Sequence, residues 1–241
     1  MSYPPGFLWG TATAAHQIEG NNVNSDFWLA ESVTPTLFRE PSGDACDSYH
    51  RYGEDIALAA ELGFNAHRFG IEWARIEPEP GRFSNAELDH YARVLETCHA
   101  HGLAPMVTLS HWTVPRWFAA RGGFEADDSP ELFGRFAAKV ADRLGPLMAA
   151  ATTFNECNIG RLARILFRQD SPRAAAAVEA MLAACARLGL GPVRQRAVRR
   201  HRQVRGQPGR RAPPRSRGAQ GRAGGLPGWA HHRDAGGRGR G

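Results

Sequence analysis

Along the first 167 residues, short apolar runs alternate with longer stretches in which apolar positions return at helical spacing. Phe7-Leu8-Trp9-Gly10-Thr11-Ala12-Thr13 is apolar and then small, which predicts a first buried strand with His16, Gln17 and Glu19 just beyond it. Residues 21–47 are rich in Asn, Ser, Pro and Gly and predict a loop, ordered by Phe27, Trp28 and Phe38. Between residues 49 and 62, Tyr52, Ile56, Ala59 and Ala60 recur with a helical period, and Gly63 is placed to end that helix. Residues 64–73 predict a second strand carrying Arg68 and Glu72. Ser84 with Glu87 three residues on predicts a capping box; Leu88, Tyr91, Val94, Leu95 and Cys98 make one face of the helix, and Gly102 stops it. Residues 104–109 predict a third strand that delivers His111 and Trp112 just past its end. Ser129-Pro130-Glu131 predicts a capped start to a third helix, with Phe133, Phe136, Ala137, Val140 and Leu144 turned inward. Residues 149–154 predict a fourth buried strand, leading into Asn155 and Glu156.

Strands alternating with helices imply βαβ units and a parallel sheet, hence an α/β fold. A repeat of about 40–45 residues suits a (β/α)8 barrel, in which polar chemistry collects at the C-terminal ends of the strands. Gln17, Arg68, His111, Asn155 and Glu156 all fall at such ends. An Asn-Glu pair at a strand exit is a workable acid–base arrangement. The Asn can hold a substrate hydroxyl while the Glu, in a partly dry pocket, keeps its proton near neutral pH. Each residue also has a plain reading: Gln17 as a strand-end cap, His111 as a backbone-bonded core histidine, Trp112 as packing, Arg68 as the partner of a structural acid. It is their order along one set of strands that favours the functional reading.

Charge divides the chain. Residues 1–167 carry a net charge of −8 and residues 168–241 a net charge of +14, so the overall +6 averages two compositions that need separate explanations. The start, Met1-Ser2-Tyr3-Pro4-Pro5, has neither the basic nor the apolar region of a secretory signal, and no run of about 20 apolar residues predicts a membrane span. Cys46, Cys98, Cys157 and Cys185 show no CxxC spacing, which argues against a zinc site or disulfide framework and for reduced, buried thiols in a cytoplasmic protein.

Four motifs follow one another along the chain: Phe7-Leu8-Trp9-Gly10-Thr11-Ala12-Thr13-Ala14-Ala15-His16-Gln17-Ile18-Glu19-Gly20; Arg68-Phe69-Gly70-Ile71-Glu72-Trp73-Ala74-Arg75-Ile76; Leu109-Ser110-His111-Trp112 with Pro115 and Trp117; and Thr153-Phe154-Asn155-Glu156. In this order and spacing they resemble glycoside hydrolase family 1, the β-glucosidase family, over residues 5–165. The resemblance implies a (β/α)8 barrel truncated to about its first four β/α units, and a retaining β-glycosidase acting on β-glucosides without metal or cofactor. It implies that Gln17, His111 and Trp112 contact the glycone and that Asn155 holds its 2-hydroxyl. It also implies that Glu156 is the acid/base and that Arg68 lies beside the nucleophile and keeps it ionised. Cys157 stands where the family usually has Pro, which changes the turn and not the carboxyl group.

A retaining glycosidase needs a second carboxylate about 5–5.5 Å from the first. In this family it lies in a Thr-Glu-Asn-Gly-type motif on the seventh strand. No such motif occurs in residues 158–241, whose only acids are Asp170, Glu179 and Asp234. Residues 168–190 predict one further helix. Residues 191–241 hold 14 Arg with many Gly and Pro, and so little apolar periodicity that disorder is expected. Such a stretch reads as the out-of-frame translation of a GC-rich family 1 gene or, as a weaker alternative, as a tail that binds nucleic acid. Three functional readings stand: an incomplete β-glucosidase, an inactive half-barrel with weak sugar binding, and a basic-tailed nucleic-acid binder. A half-barrel also exposes two sheet edges and an apolar inner layer, so self-association is expected.

Overall fold

The computed structural model describes residues 2–158 and 172–189, all within one compact unit, Met1–Gly206. The second unit, Gln207–Gly241, lies outside the described residues, as does the rest of the predicted basic tail. Four parallel strands are ordered β1 (Gly10–Ala12), β2 (Ala66–Gly70), β3 (Ala104–Ser110) and β4 (Ala150–Phe154). Each crossover carries a helix: α3 (Ser48–Glu61), α5 (Asn85–Ala100) and α7 (Ser129–Leu144). Short helices α1 (Ala15–Ile18), α2 (Asp26–Glu31), α4 (Trp73–Ile76) and α6 (Arg116–Ala120) lie in the connections that follow β1, β2 and β3, and α8 (Pro172–Arg187) comes after β4.

The two central strands, β2 and β3, are buried on both faces along most of their length. Pro105 and Val107 of β3 and Phe69 of β2 are buried, and Phe69 and Val107 join the core beneath the helices. Trp73, 1% exposed, is the hub of that core, stacked on Phe136 at 4.9 Å and in contact with Phe118, Phe133 and Trp117. The opposite face carries Arg68, Met106, Thr108 and Thr152, joined by Arg68 and Thr152 donating to Thr108 Oγ1. Ala66, Ala104 and Ala150 share that face by register, so it mixes small apolar residues with these polar ones.

Other expectations change with the third dimension. β1 and β4 are mostly exposed, because each has only one neighbouring strand among the described residues. The second strand stops at Gly70: Ile71 continues as a loop, and Glu72 turns the chain into α4 by accepting the Ala74 N–H. The loop over residues 21–47 contains α2, capped by Ser25. Half of the predicted capping box forms at α5. Ser84 accepts the Glu87 N–H, while the Glu87 carboxylate is taken by Tyr49 Oη. Ser129 lies inside α7 and donates to the Phe124 carbonyl instead of capping. Of the cysteines only Cys98 is buried; Cys46 and Cys157 are exposed.

Phe136 is fully buried against Trp73. Phe136→Ala is expected to lower the free energy of unfolding by about 3–5 kcal/mol, read from the urea midpoint at unchanged slope.

Candidate active site at the strand ends

The parallel register brings two of the predicted residues together, Arg68 from the middle of β2 and Asn155 from the exit of β4. Arg68, on β2, donates through Nε to Thr108 Oγ1 at 2.8 Å and through a terminal nitrogen to Asn155 Oδ1 at 2.7 Å, so it bridges β2, β3 and the exit of β4. The Asn155 N–H donates to the Ser110 carbonyl, continuing the β3–β4 ladder by one residue. Glu156 follows in the left-handed region, φ 47°, and Trp112 at the exit of β3 is left-handed as well, φ 76°. For a Trp this backbone is an outlier costing about 1–3 kcal/mol, and such strain collects where a side chain is being aimed.

His111 is half-buried with its Nδ1 enclosed and unpartnered among the described residues, so it is not the backbone-bonded histidine of the plain reading. Burial and then the Arg68 guanidinium hold its imidazole below the usual histidine range, opposed by Glu156. The ring is therefore neutral at physiological pH and free to accept or donate one hydrogen bond. Trp112, 41% exposed and edge-on to His111, is not packing. Gln17, in α1, is exposed, and its side chain makes no hydrogen bond among the described residues. Glu156 is also exposed and makes no hydrogen bond or ion pair there, which corrects the expectation of a partly dry pocket. A cavity of about 290 Å³ lies elsewhere, between α3, α5 and the sheet around Tyr52, His67 and Phe69; it includes none of these residues.

Beneath the edge lies a buried polar network that the sequence reading did not assign. Glu72, 3% exposed, accepts at one oxygen from Asn22 Nδ2 and Thr113 Oγ1, both at 2.8 Å, and at the other from the Ala74 N–H. Asn22 Nδ2 also donates to His16 Nδ1 at 3.3 Å, which puts the His16 proton on Nε2, 2.8 Å from Glu31. Tyr91 Oη donates to Glu19 and accepts the Glu72 N–H, and Arg75 donates to Glu19 and to the Gly20 carbonyl. The only local signal was the Glu two residues before Ala74 at a helix start. Its partners, 50 and 41 positions away, leave no pattern in the sequence. Among the described residues no group of three or more His, Cys, Asp or Glu could hold a metal ion, and no helix is long and apolar enough to cross a membrane.

Four parallel strands alternating with helices, with Asn155 and Glu156 at the exit of β4, define the class of fold: part of a parallel β/α barrel. The profile of Glycosyl hydrolase family 1 matches residues 1–201, and the chain belongs to that family. The match runs past residue 165, where the resemblance read from the sequence ends. A thermostable β-glucosidase B from Thermobispora bispora is 41% identical over 161 residues, 65% of this chain and 34% of that protein. The solved β-glycosidase BGL167 is 52% identical, with a TM-score of 0.73 over 78% of this chain and 46% of its own. A β-glucosidase from Thermotoga maritima in complex with castanospermine is 32% identical, with a TM-score of 0.62 over 77% of this chain and 45% of its own. The chain thus spans about a third of the length of the curated relatives it matches and about half of the solved ones. The truncated (β/α)8 fold expected from the sequence is borne out.

Burial pushes the Glu19 carboxyl up to about 7, against the opposing pull of Arg75. A carboxyl raised on folding contributes stability that is complete below its unfolded pKa, near 4.5, and is lost as pH rises through about 7. The stability of the native chain minus that of Glu19→Gln, from urea melts, is expected to fall steadily between about pH 5 and pH 8. A flat difference would show that Glu19 stays ionised throughout.

Proposed function

We propose that these strand ends form the acid/base half of a retaining β-glucosidase site. In this reading Glu156 protonates the departing glycosidic oxygen and then takes a proton from the attacking water. Asn155 holds the 2-hydroxyl, a contact that strengthens as the oxocarbenium-like transition state forms. Gln17, His111 and Trp112 hold the remaining face of the glycone, and the neutral His111 suits hydroxyl recognition. Arg68 supports the ionised nucleophile.

The observation that carries the reading is the Arg68–Asn155 hydrogen bond. It fixes a guanidinium beside the residue preceding Glu156, at the junction of three strands. With the Asn155 oxygen occupied by Arg68, its amide nitrogen is the group that faces a hydroxyl. The exposure of Glu156, and a sequence without the nucleophile motif, favour a second reading in which the chain binds a glycoside without turning it over.

Isothermal titration is expected to show castanospermine binding that Asn155→Ala weakens about tenfold. Any hydrolysis of an aryl β-glucoside is expected to fall about a hundredfold or more in Glu156→Gln. Binding without turnover selects the second reading; a folded chain that does neither overturns both. The outer edges of β1 and β4 are unpaired among the described residues, and Ala150, Ala151 and Thr153 of β4 are exposed. Sedimentation velocity is therefore expected to show concentration-dependent association that Ala151→Lys suppresses, as charge blunts a strand edge. A sharp monomer at every concentration would count against pairing through these edges.

A further inference from the structure

We propose that Glu72 is a positioning residue for the sugar-binding edge, and that its carboxylate holds the His111–Trp112 segment in its strained, outward-facing conformation. The consequence for sugar binding rests on the reading above; the positioning itself does not.

The hydrogen bonds around Glu72 have fixed directions. Asn22 spends one amide hydrogen on His16 Nδ1 and the other on Glu72, which leaves its own Oδ1 buried and without a partner. Turning the Asn22 amide over would bring its oxygen against the Glu72 carboxylate, so the unpartnered oxygen is the cost of that donation. Thr113 donates to the same Glu72 oxygen, and the Ala74 N–H donates to the other. All three neighbours are donors, and Glu72 makes no ion pair among the described residues. Only a carboxylate of this length satisfies them. A Gln side chain would point its NH2 either at Ala74 N–H or at the Asn22 amide, and an Asp would fall short.

The link to the site runs through Thr113, the residue after Trp112. Val114 donates to Asp26 and accepts the Asp26 N–H, and the Arg116 N–H donates to the Asn24 carbonyl, so the chain beyond Trp112 is stitched to the loop before α2. Thr113 pins the point between that stitched stretch and the left-handed Trp112. The Thr113 hydroxyl bond is the described side-chain hydrogen bond closest to Trp112, with the Asp26 bond to Val114 one residue further on, so its release is expected to let His111 and Trp112 turn. Glu72 therefore joins the segment after β1, through Asn22 and His16, to the segment after β3, through Thr113, while itself capping α4 after β2.

The test removes one hydroxyl at constant shape. In Thr113→Val, amide hydrogen exchange over residues 111–115 is expected to speed up about tenfold while α5 is unchanged, and castanospermine affinity is expected to fall about tenfold. Thr113→Ser is expected to restore both, and Glu72→Gln to exceed Thr113→Val in both. A side chain that served stability alone would lower the thermal midpoint without this local pattern or its rescue by Ser. Native-like exchange at 111–115 in both Thr113→Val and Glu72→Gln overturns the proposal, whatever castanospermine does. Faster exchange with undiminished castanospermine binding also overturns it, since the segment would then be loosened without consequence for the sugar. Faster exchange in a chain whose native form does not bind castanospermine leaves the positioning intact and defeats the glycosidase reading instead.

Discussion

Parallel pairing is the constraint on which the rest depends. With β1 to β4 all running the same way, every strand delivers its exit to one edge, and the register decides which side chains meet there. Gly70 opposite Thr108 and Ser110 opposite Phe154 bring Arg68 within reach of both Thr108 and Asn155. A slip of one residue in β2 would turn Arg68 into the helix-covered core and Phe69 out of it. The core packed around Trp73 and the face carrying Arg68 are thus two results of one pairing.

The three crossover helices α3, α5 and α7 were legible because each buries a stripe against the sheet, and the stripe leaves a period in the sequence. What was not legible was the ends. Glu72 reads as a strand residue because apolar Ile71 and Trp73 flank it, yet the chain leaves the sheet at Gly70 and uses the Glu72 side chain to begin α4. Residues 26–31 and 116–120 form helices too short to show a period, fixed by Ser25 capping and by the bridge between Ser25 and Pro115. The exposure of β1 and β4 could not be read either, since burial depends on what lies beyond a strand as well as on the strand's own residues.

The site was legible in a different way. Arg68, His111, Trp112, Asn155 and Glu156 stand out as polar or aromatic groups just at or past apolar runs, and their order matches a family pattern. The supporting network does not stand out. Asn22, Thr113 and Glu72 lie in three different connections, and what unites them is donor and acceptor direction in a dry space, which no local spacing records. The left-handed backbone at Trp112 and Glu156 was hidden for the same reason: neither is a residue type that announces such a turn.

Two deficits of the proposed reaction fall at the same place. Glu156 needs drier surroundings to hold a proton until the leaving oxygen takes it, and the reaction needs a second carboxylate close by. Among the described residues the exit of β4 offers neither: Glu156 is exposed there and makes no hydrogen bond or ion pair. The exit of β4 does offer a place for an anion, since Arg68 presents a guanidinium that Asn155 and Thr108 orient without neutralising. A second carboxylate brought beside Arg68 past the outer edge of β4, unpaired among the described residues, would also cover Glu156. One structural addition would thus provide both the nucleophile and the desolvation. The proposed chemistry therefore turns on a whole segment docking at that edge, and no single side chain could restore it.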